Sequence, residues 1–172
     1  MKKRNLRKID YLVLGLYLII GFLIFIFYYQ TLLPQKIINN CVLAFGFCFP
    51  FLLYGLYYKR FRDLKVITIW SFIAILQIGL YLTYKQNSDF ISARGTSYLE
   101  YLIMLPILII TFSLLRFLYR LIFKKELIIN VYNIRDREIG EEREVSDADL
   151  VFSIIGFVIL IFGIHFVINL LN

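Results

Sequence analysis

The chain has very few of the residues that bind metal ions: one histidine, His165, and two cysteines, Cys41 and Cys48. A structural zinc site needs about four clustered ligands, so this composition argues against one. Within one helix the two cysteines would lie roughly 10.5 Å apart, whereas the Cα atoms of bridged cysteines lie within about 7 Å. The sequence therefore predicts no metal, no cofactor and no disulfide inside that helix.

Acidic residues are almost missing from the long apolar runs. The aspartates lie outside these runs, and Glu100 is the only glutamate at the edge of one. An intramembrane peptidase needs a nucleophile beside a base, or two aspartates that face each other. The sequence also has no glycine-rich phosphate loop. These absences predict that the protein is not an enzyme.

Apolar residues, in contrast, are abundant. They make up 60% of the 172 residues, and aromatic residues alone make up 18%. A soluble domain of this size has too little interior to bury so much apolar surface. Five runs have the length of about 17–25 residues that crosses a bilayer, namely 11–29, 41–58, 66–84, 99–118 and 150–171. We predict an all-α integral membrane protein: a single membrane domain over 1–172 that forms a polytopic bundle of about five transmembrane helices.

Basic residues indicate how these helices are oriented. Sixteen of the 19 lysines and arginines lie in the N-terminal tail, the loop after the second run and the region 116–143. These three regions share one side of a five-helix bundle, and the other side carries only Lys36, Lys85 and Arg94. Positive residues favour the cytoplasmic side, so we predict a cytoplasmic N-terminus and an extracytoplasmic C-terminus. The net charge of +7 is then explained by orientation, and nucleic acid is not an expected partner.

One charged segment, residues 123–149, is long enough to form a cytoplasmic structure. Its part from Arg135 to Asp149 has a net charge of −4, on a side where the other loops are basic. We expect Glu141, Glu142 and Glu144 to contact those basic loops or a partner protein. The alternative is a solvated, mobile linker, because charge-dense segments often stay disordered. At its end, Ser146 to Asp149 is typical of a helix N-cap.

Polar residues inside apolar runs are costly and therefore candidates for function. Gln77 shares a helix face with Trp70, Ile73 and Tyr81. It could line a cavity and bind a ligand, or it could form a hydrogen bond between helices.

Five further candidate residues lie near the ends of the fourth and fifth runs. His165 and Asn169 are one turn apart and could reach Glu100, or all three could be separate interfacial residues. Arg116 and Arg120 could bind an anion such as a lipid phosphate, or could simply orient the helix.

The leading functional hypothesis is a non-catalytic membrane protein that acts through protein–protein contacts. It would be an accessory subunit of a membrane complex, or a membrane immunity or protective protein. Its expected partners are the lipid bilayer and either another protein or a second copy of itself. We expect it in the cell membrane, which is the inner membrane if the source is bacterial. The alternative is a small transporter or channel for an ion or a lipid. An enzyme with an unrecognised site is a third hypothesis.

The charge distribution makes a testable prediction about topology. A reporter fused after Asn172 should be active only outside the cytoplasm, and one inserted near Gly140 only inside it, because the basic loops stay with the cytoplasm. Paired alkaline phosphatase and fluorescent protein fusions measure this. A cytoplasmic C-terminus would mean that one of the five predicted spans does not cross.

Overall fold

A computed structural model describes residues 6–92, 95–129 and 146–171, and it is built almost entirely from helices. Each of five helices is long and apolar enough to cross a membrane. Their bounds are α1, Lys8–Tyr29; α2, Gln35–Leu52; α3, Leu64–Tyr84; α4, Met104–Phe123; and α5, Asp147–Leu171. The described residues form no strand, only an isolated bridge between Ile91 and Ser97. The five predicted helices are thus confirmed as helices that could span a bilayer.

Helix α2 differs most from its predicted bounds, because it begins at Gln35 and not near Cys41. Its first turns contain lysine, glutamine and asparagine, which a hydropathy criterion assigns to a loop. Pro34 precedes the helix at the N-cap position, where a missing N–H costs nothing. The polar side chains of Gln35 and Asn39 then find partners in the loop after α3.

The C-terminal end of α2 contains Pro50 and continues as a π-helical turn over Leu53–Tyr57. Proline removes one helical hydrogen bond, and π turns occur where a helix must accommodate such a defect. Leu53, Tyr54 and Tyr57 are all buried in this turn. The local geometry therefore directs two tyrosines into the bundle, where both hydroxyls make hydrogen bonds.

Helix α4 lies at the centre of the bundle and packs against α2, α3 and α5. Among the described helices it has the largest number of buried residues, including Leu105, Leu108 and Phe112. A 3-10 turn, Tyr98–Ile103, leads into α4 and packs closely on α2. Helix α1 is peripheral: of its residues only Asp10 and Tyr17 are fully buried.

The two ends of the bundle are built from different loops. The basic end holds the start of α1, the loop between α2 and α3, and the end of α4. The opposite end holds the loop between α1 and α2 and the loop between α3 and the Tyr98–Ile103 turn. After α4, Leu127, Ile128 and Ile129 are buried at the basic end. The beginning of the predicted charged segment is therefore part of the core.

Gly46 allows the closest approach between α2 and the turn before α4. A Cβ atom at this position would lie 2.7 Å from the carbonyl carbon of Tyr101, a backbone atom that cannot move aside cheaply. Glycine lets the two backbones touch, which is how small residues act in apolar helix bundles.

We therefore predict that Gly46→Ala destabilises the protein by about 1–3 kcal/mol through overpacking. Gly79→Ala is the matched control, because a Cβ there would have no atom within 4 Å. It should leave stability unchanged or raise it by up to about 1 kcal/mol through helix propensity. Thermal unfolding of both variants in the same detergent measures the difference. Equal melting temperatures would contradict the close packing.

Candidate functional site

A buried ion pair joins the start of α1 to the loop after α2 at the basic end. The Asp10 carboxylate accepts hydrogen bonds from the Arg60 Nε atom at 2.7 Å and from the Tyr57 hydroxyl at 2.6 Å. It also accepts from the backbone N–H of Arg7 at 2.7 Å and forms a second contact with the Arg60 guanidinium. Asp10 is 5% exposed and Arg60 is 12% exposed. The carboxylate raises the pKa of the Arg60 guanidinium, so both partners stay charged.

A second charged cluster ties the end of α4 to the residues that follow it. Arg116 holds the Glu126 carboxylate with two hydrogen bonds of 3.0 and 3.1 Å, and Arg120 pairs with the same carboxylate. Arg116 also donates to the backbone carbonyl of Arg62 at 3.2 Å. The structure thus brings both predicted arginines together, but onto a carboxylate of the same chain. The anion they bind here is Glu126.

The N-terminal end of α5 is fixed by Asp149, a fully buried residue. Its carboxylate accepts from the backbone N–H of Ile128 at 3.0 Å and from that of Ser146 at 3.0 Å. The Ser146 hydroxyl accepts from the N–H of Asp149 in return, which confirms the predicted N-cap. The same aspartate therefore caps α5 and anchors the segment after α4.

Uncharged groups dominate the contacts at the opposite end. The Tyr28 hydroxyl donates to the Asp89 carboxylate at 2.9 Å, and Gln35 and Asn39 both donate to the Asp89 carbonyl at 3.0 Å. The hydroxyls of Tyr29 and Tyr84 lie 3.1 Å apart, which links α1 to α3. These bonds hold the loop after α3 across the ends of α1 and α2.

A cavity of about 590 Å³ lies between α1, α2 and α3, on the side of the bundle towards the opposite end. It falls within the range of roughly 300–1,000 Å³ seen for ligand pockets. Exposed side chains of α1 (Leu18, Phe22) and of α3 (Leu76, Leu80) form two of its edges. The cavity therefore opens sideways, between α1 and α3. Phe90, from the loop after α3, contributes to its wall near the opposite end.

Gln77 lies in the wall of this cavity and is 6% exposed. Its side-chain amide donates a hydrogen bond to the Tyr17 hydroxyl of α1. Its Oε1 atom is buried and has no partner among the described residues. Gln77 thus joins two helices and lines a cavity, while ligand binding by its amide stays a prediction.

The remaining predicted site residues are not brought together. The Glu100 carboxylate accepts from the backbone N–H of Ser97 at 3.1 Å, in a capping box that starts the turn before α4. His165 is exposed on α5, and the described residues show no bond between it and Glu100. The Asn169 side chain lies outside the described part of the chain, as do Glu141, Glu142 and Glu144. Among the described residues, no three histidine, cysteine or acidic side chains form a group that could hold a metal ion.

The outward face of α2 has four small or polar residues beside the larger Ile37 and Phe47. Asn40, Cys41, Ala44 and Cys48 are all exposed, and Gly55 continues the same line with open space at its Cβ position. The outward faces of the other helices carry large side chains, such as Phe72 and Ile75 on α3 or Leu114 and Phe117 on α4. Both cysteines are free thiols.

Sequence reasoning missed several residues that organise the site. Hydropathy places Asp10 on a flank, yet it lies inside α1 and is buried. Nothing in the sequence distinguishes Tyr17 from its apolar neighbours, or Glu126 from the charged residues beside it. Asp10 has a local signal, because an acid three residues after an N-cap position often caps a helix. The partners of Tyr17 and Glu126 lie on other elements or after a turn, so no local pattern identifies them.

The described residues form an all-helical protein with five helices that are long and apolar enough to span a membrane. The ion pairs described above have both partners in this chain, and an apolar cavity lies between α1, α2 and α3. Comparison of the sequence and structure with protein-family models, curated proteins and solved structures found no match.

The Asp10–Arg60 pair makes a prediction about stability. Asp10→Asn should lower the free energy of unfolding by about 3–5 kcal/mol, because it leaves the buried Arg60 charge without a counter-ion. Asp147→Asn is the control, since Asp147 is exposed at the start of α5. The double variant Asp10→Asn/Arg60→Gln should lose less than the sum of the two single variants, which a double-mutant cycle of melting experiments measures. Additive losses would mean that the two charges do not interact.

Proposed function

We propose that this chain is a non-catalytic multi-pass membrane protein that acts through contacts with a partner protein, or with a second copy of itself, inside the bilayer. In this proposal the basic end faces the cytoplasm and α5 ends outside it, as the positive-inside distribution predicts. The membrane is the cell membrane, and the inner membrane in a bacterium.

The observation that carries the proposal is the small-residue outward face of α2. Lipid-facing surfaces need only apolar side chains of any size, and α2 also exposes large ones at Ile37 and Phe47. Small residues become useful when another helix packs against them, because they let two backbones approach closely. A strip of Cys41, Ala44 and Cys48 with Asn40 beside it offers such a surface, with a polar group for an interhelical hydrogen bond.

The partnering of polar groups within the bundle also supports a role without chemistry on a substrate. Asp10 and Arg60 neutralise each other, and Arg116 and Arg120 share Glu126. Each of these groups fixes one chain segment against another. A catalytic or ion-conducting site would need groups that are free to react or to bind.

A transporter or channel remains the second candidate, and one observation favours its lipid form. The cavity between α1 and α3 is apolar and opens sideways, which suits a lipid chain better than an ion. An ion pathway would need polar groups along its length, whereas Gln77, Glu100, Arg116 and His165 lie in separate surroundings.

Site-specific photocrosslinking tests the proposed contact surface. A benzophenone amino acid at Asn40, at the edge of the small-residue strip, should give a discrete adduct with another protein chain in native membranes. The same group at Ile75, on the outward face of α3, should react with lipid only. Mass spectrometry identifies the adduct as a partner or as a second copy, and either result supports the proposal.

A substitution within the strip separates association from folding. Ala44→Phe should abolish the adduct formed from Asn40 and leave the melting temperature within about 2 °C, because the site is exposed and surface substitutions change stability by roughly 0.5 kcal/mol or less. Ile75→Phe serves as its control on α3. If Asn40 and Ile75 both give only lipid adducts, α2 has no protein partner and the proposal fails.

A further inference from the structure

The cavity between α1, α2 and α3 has an open side and two closed ends. Towards the basic end, the hydrogen bond between Gln77 and Tyr17 joins α3 to α1. At the opposite end, the hydroxyls of Tyr29 and Tyr84 join the same two helices. Between these two links the helices are separated by open space, with Val42 and Phe45 of α2 at the back. We call this gap the lateral window. Along α3 it extends from Gln77 to Tyr84, which is about two helical turns or roughly 10 Å.

The lining is uncharged throughout. The described residues that form the cavity wall are aliphatic or aromatic, apart from one glycine and the Gln77 amide. A charged headgroup drawn into this space would lose its hydration and find no counter-ion. Near the opposite end, the Asp89 carboxylate would also repel a phosphate. The surroundings therefore favour an occupant without net charge.

The Gln77 amide favours an occupant that has a polar group beside this side chain. One of its two polar atoms bonds to the Tyr17 hydroxyl. The other has no described partner and is buried even from the cavity, so the side chain has to rotate to bring this atom to an occupant. The oxygen and nitrogen of an amide can exchange places by a flip of the side chain, so the unpartnered atom is either an acceptor or a donor. A hydroxyl group both donates and accepts, and it satisfies the amide in either orientation.

We propose that this cavity binds a neutral, hydroxyl-bearing lipid, which enters between α1 and α3, places its hydroxyl on the Gln77 amide and leaves its chains against the apolar walls. Gln77 lies seven residues from Tyr84, or roughly 10 Å deeper along α3. An uncharged hydroxyl group can enter the apolar layer as far as Gln77. The phosphate of an ordinary phospholipid stays at the membrane interface, because leaving water would cost its hydration. The site does not depend on the proposed protein contact, because it opens beside α3 and not on the outward face of α2.

Photolabelling of the reconstituted full chain tests this site. The protein is placed in phosphatidylcholine nanodiscs with a trace of photoreactive diacylglycerol, or with photoreactive phosphatidylcholine that carries the same chains. We expect the diacylglycerol probe to label peptides of α1 and α3 at least about fivefold more per mole than the phosphatidylcholine probe, the difference that one hydrogen bond provides. Equal labelling by the two probes would overturn the proposal, because the cavity would then hold ordinary lipid chains.

Two matched glycine variants locate the labelling. Gly21 lines the cavity, and a Cβ there meets Phe45 at an ordinary 3.5 Å, so Gly21→Leu should fold while its side chain fills the space. Gly15 is on the same helix with nothing within 4 Å of its Cβ position, outside the cavity. Gly21→Leu should reduce diacylglycerol labelling about fivefold, and Gly15→Leu should leave it unchanged. If Gly21→Leu does not fold, Val42→Phe fills the cavity from α2 and must show the same loss.

A change at Gln77 tests the role of the hydroxyl group. The double variant Tyr17→Phe/Gln77→Leu removes the amide together with the Tyr17 hydroxyl that it binds and replaces both side chains with apolar ones of similar size. The preference for diacylglycerol over phosphatidylcholine should then fall from about fivefold to about one. Phosphatidylcholine labelling should stay the same, which shows that the cavity is intact. A preference that survives in the double variant, or labelling that is insensitive to both cavity-filling variants, would refute the assignment.

Discussion

Most of the polar groups buried among the described helices have a partner in the same chain, and the bundle is organised around that constraint. The requirement is strictest for charge, since an unpaired buried ion costs several kcal/mol. Asp10 can stay inside α1 only because Arg60 and Tyr57 reach it from the segment after α2. Arg116 can stay inside α4 only because the chain turns back and presents Glu126. These two pairs align α1, α2 and α4 at the basic end.

The opposite end is joined in a different way. Its links between elements include the contact between the Tyr29 and Tyr84 hydroxyls and the bonds from Asn87 to Tyr28 and from Tyr28 to the Asp89 carboxylate. Each bond between uncharged groups contributes about 1 kcal/mol. The cavity lies on this side of the bundle, between the Gln77–Tyr17 bond and the Tyr29–Tyr84 contact.

The two proposals concern separate surfaces of the molecule. The outward face of α2 has small side chains that favour another helix, and the cavity has an amide that favours a small polar group. The two surfaces share α2, whose opposite sides carry Ala44 and Val42.

The sequence by itself determined the five helices, because runs of about 20 apolar residues arise from local composition alone. It also placed Gln77 on the face of Trp70, Ile73 and Tyr81, all of which are buried, since helical periodicity needs no knowledge of neighbours. Tertiary structure decided which groups meet. Asp10 and Arg60 are 50 residues apart, and Gln77 and Tyr17 are 60 apart, so no local pattern pairs them. The cavity is likewise a property of the space between three helices, and only their packing created it.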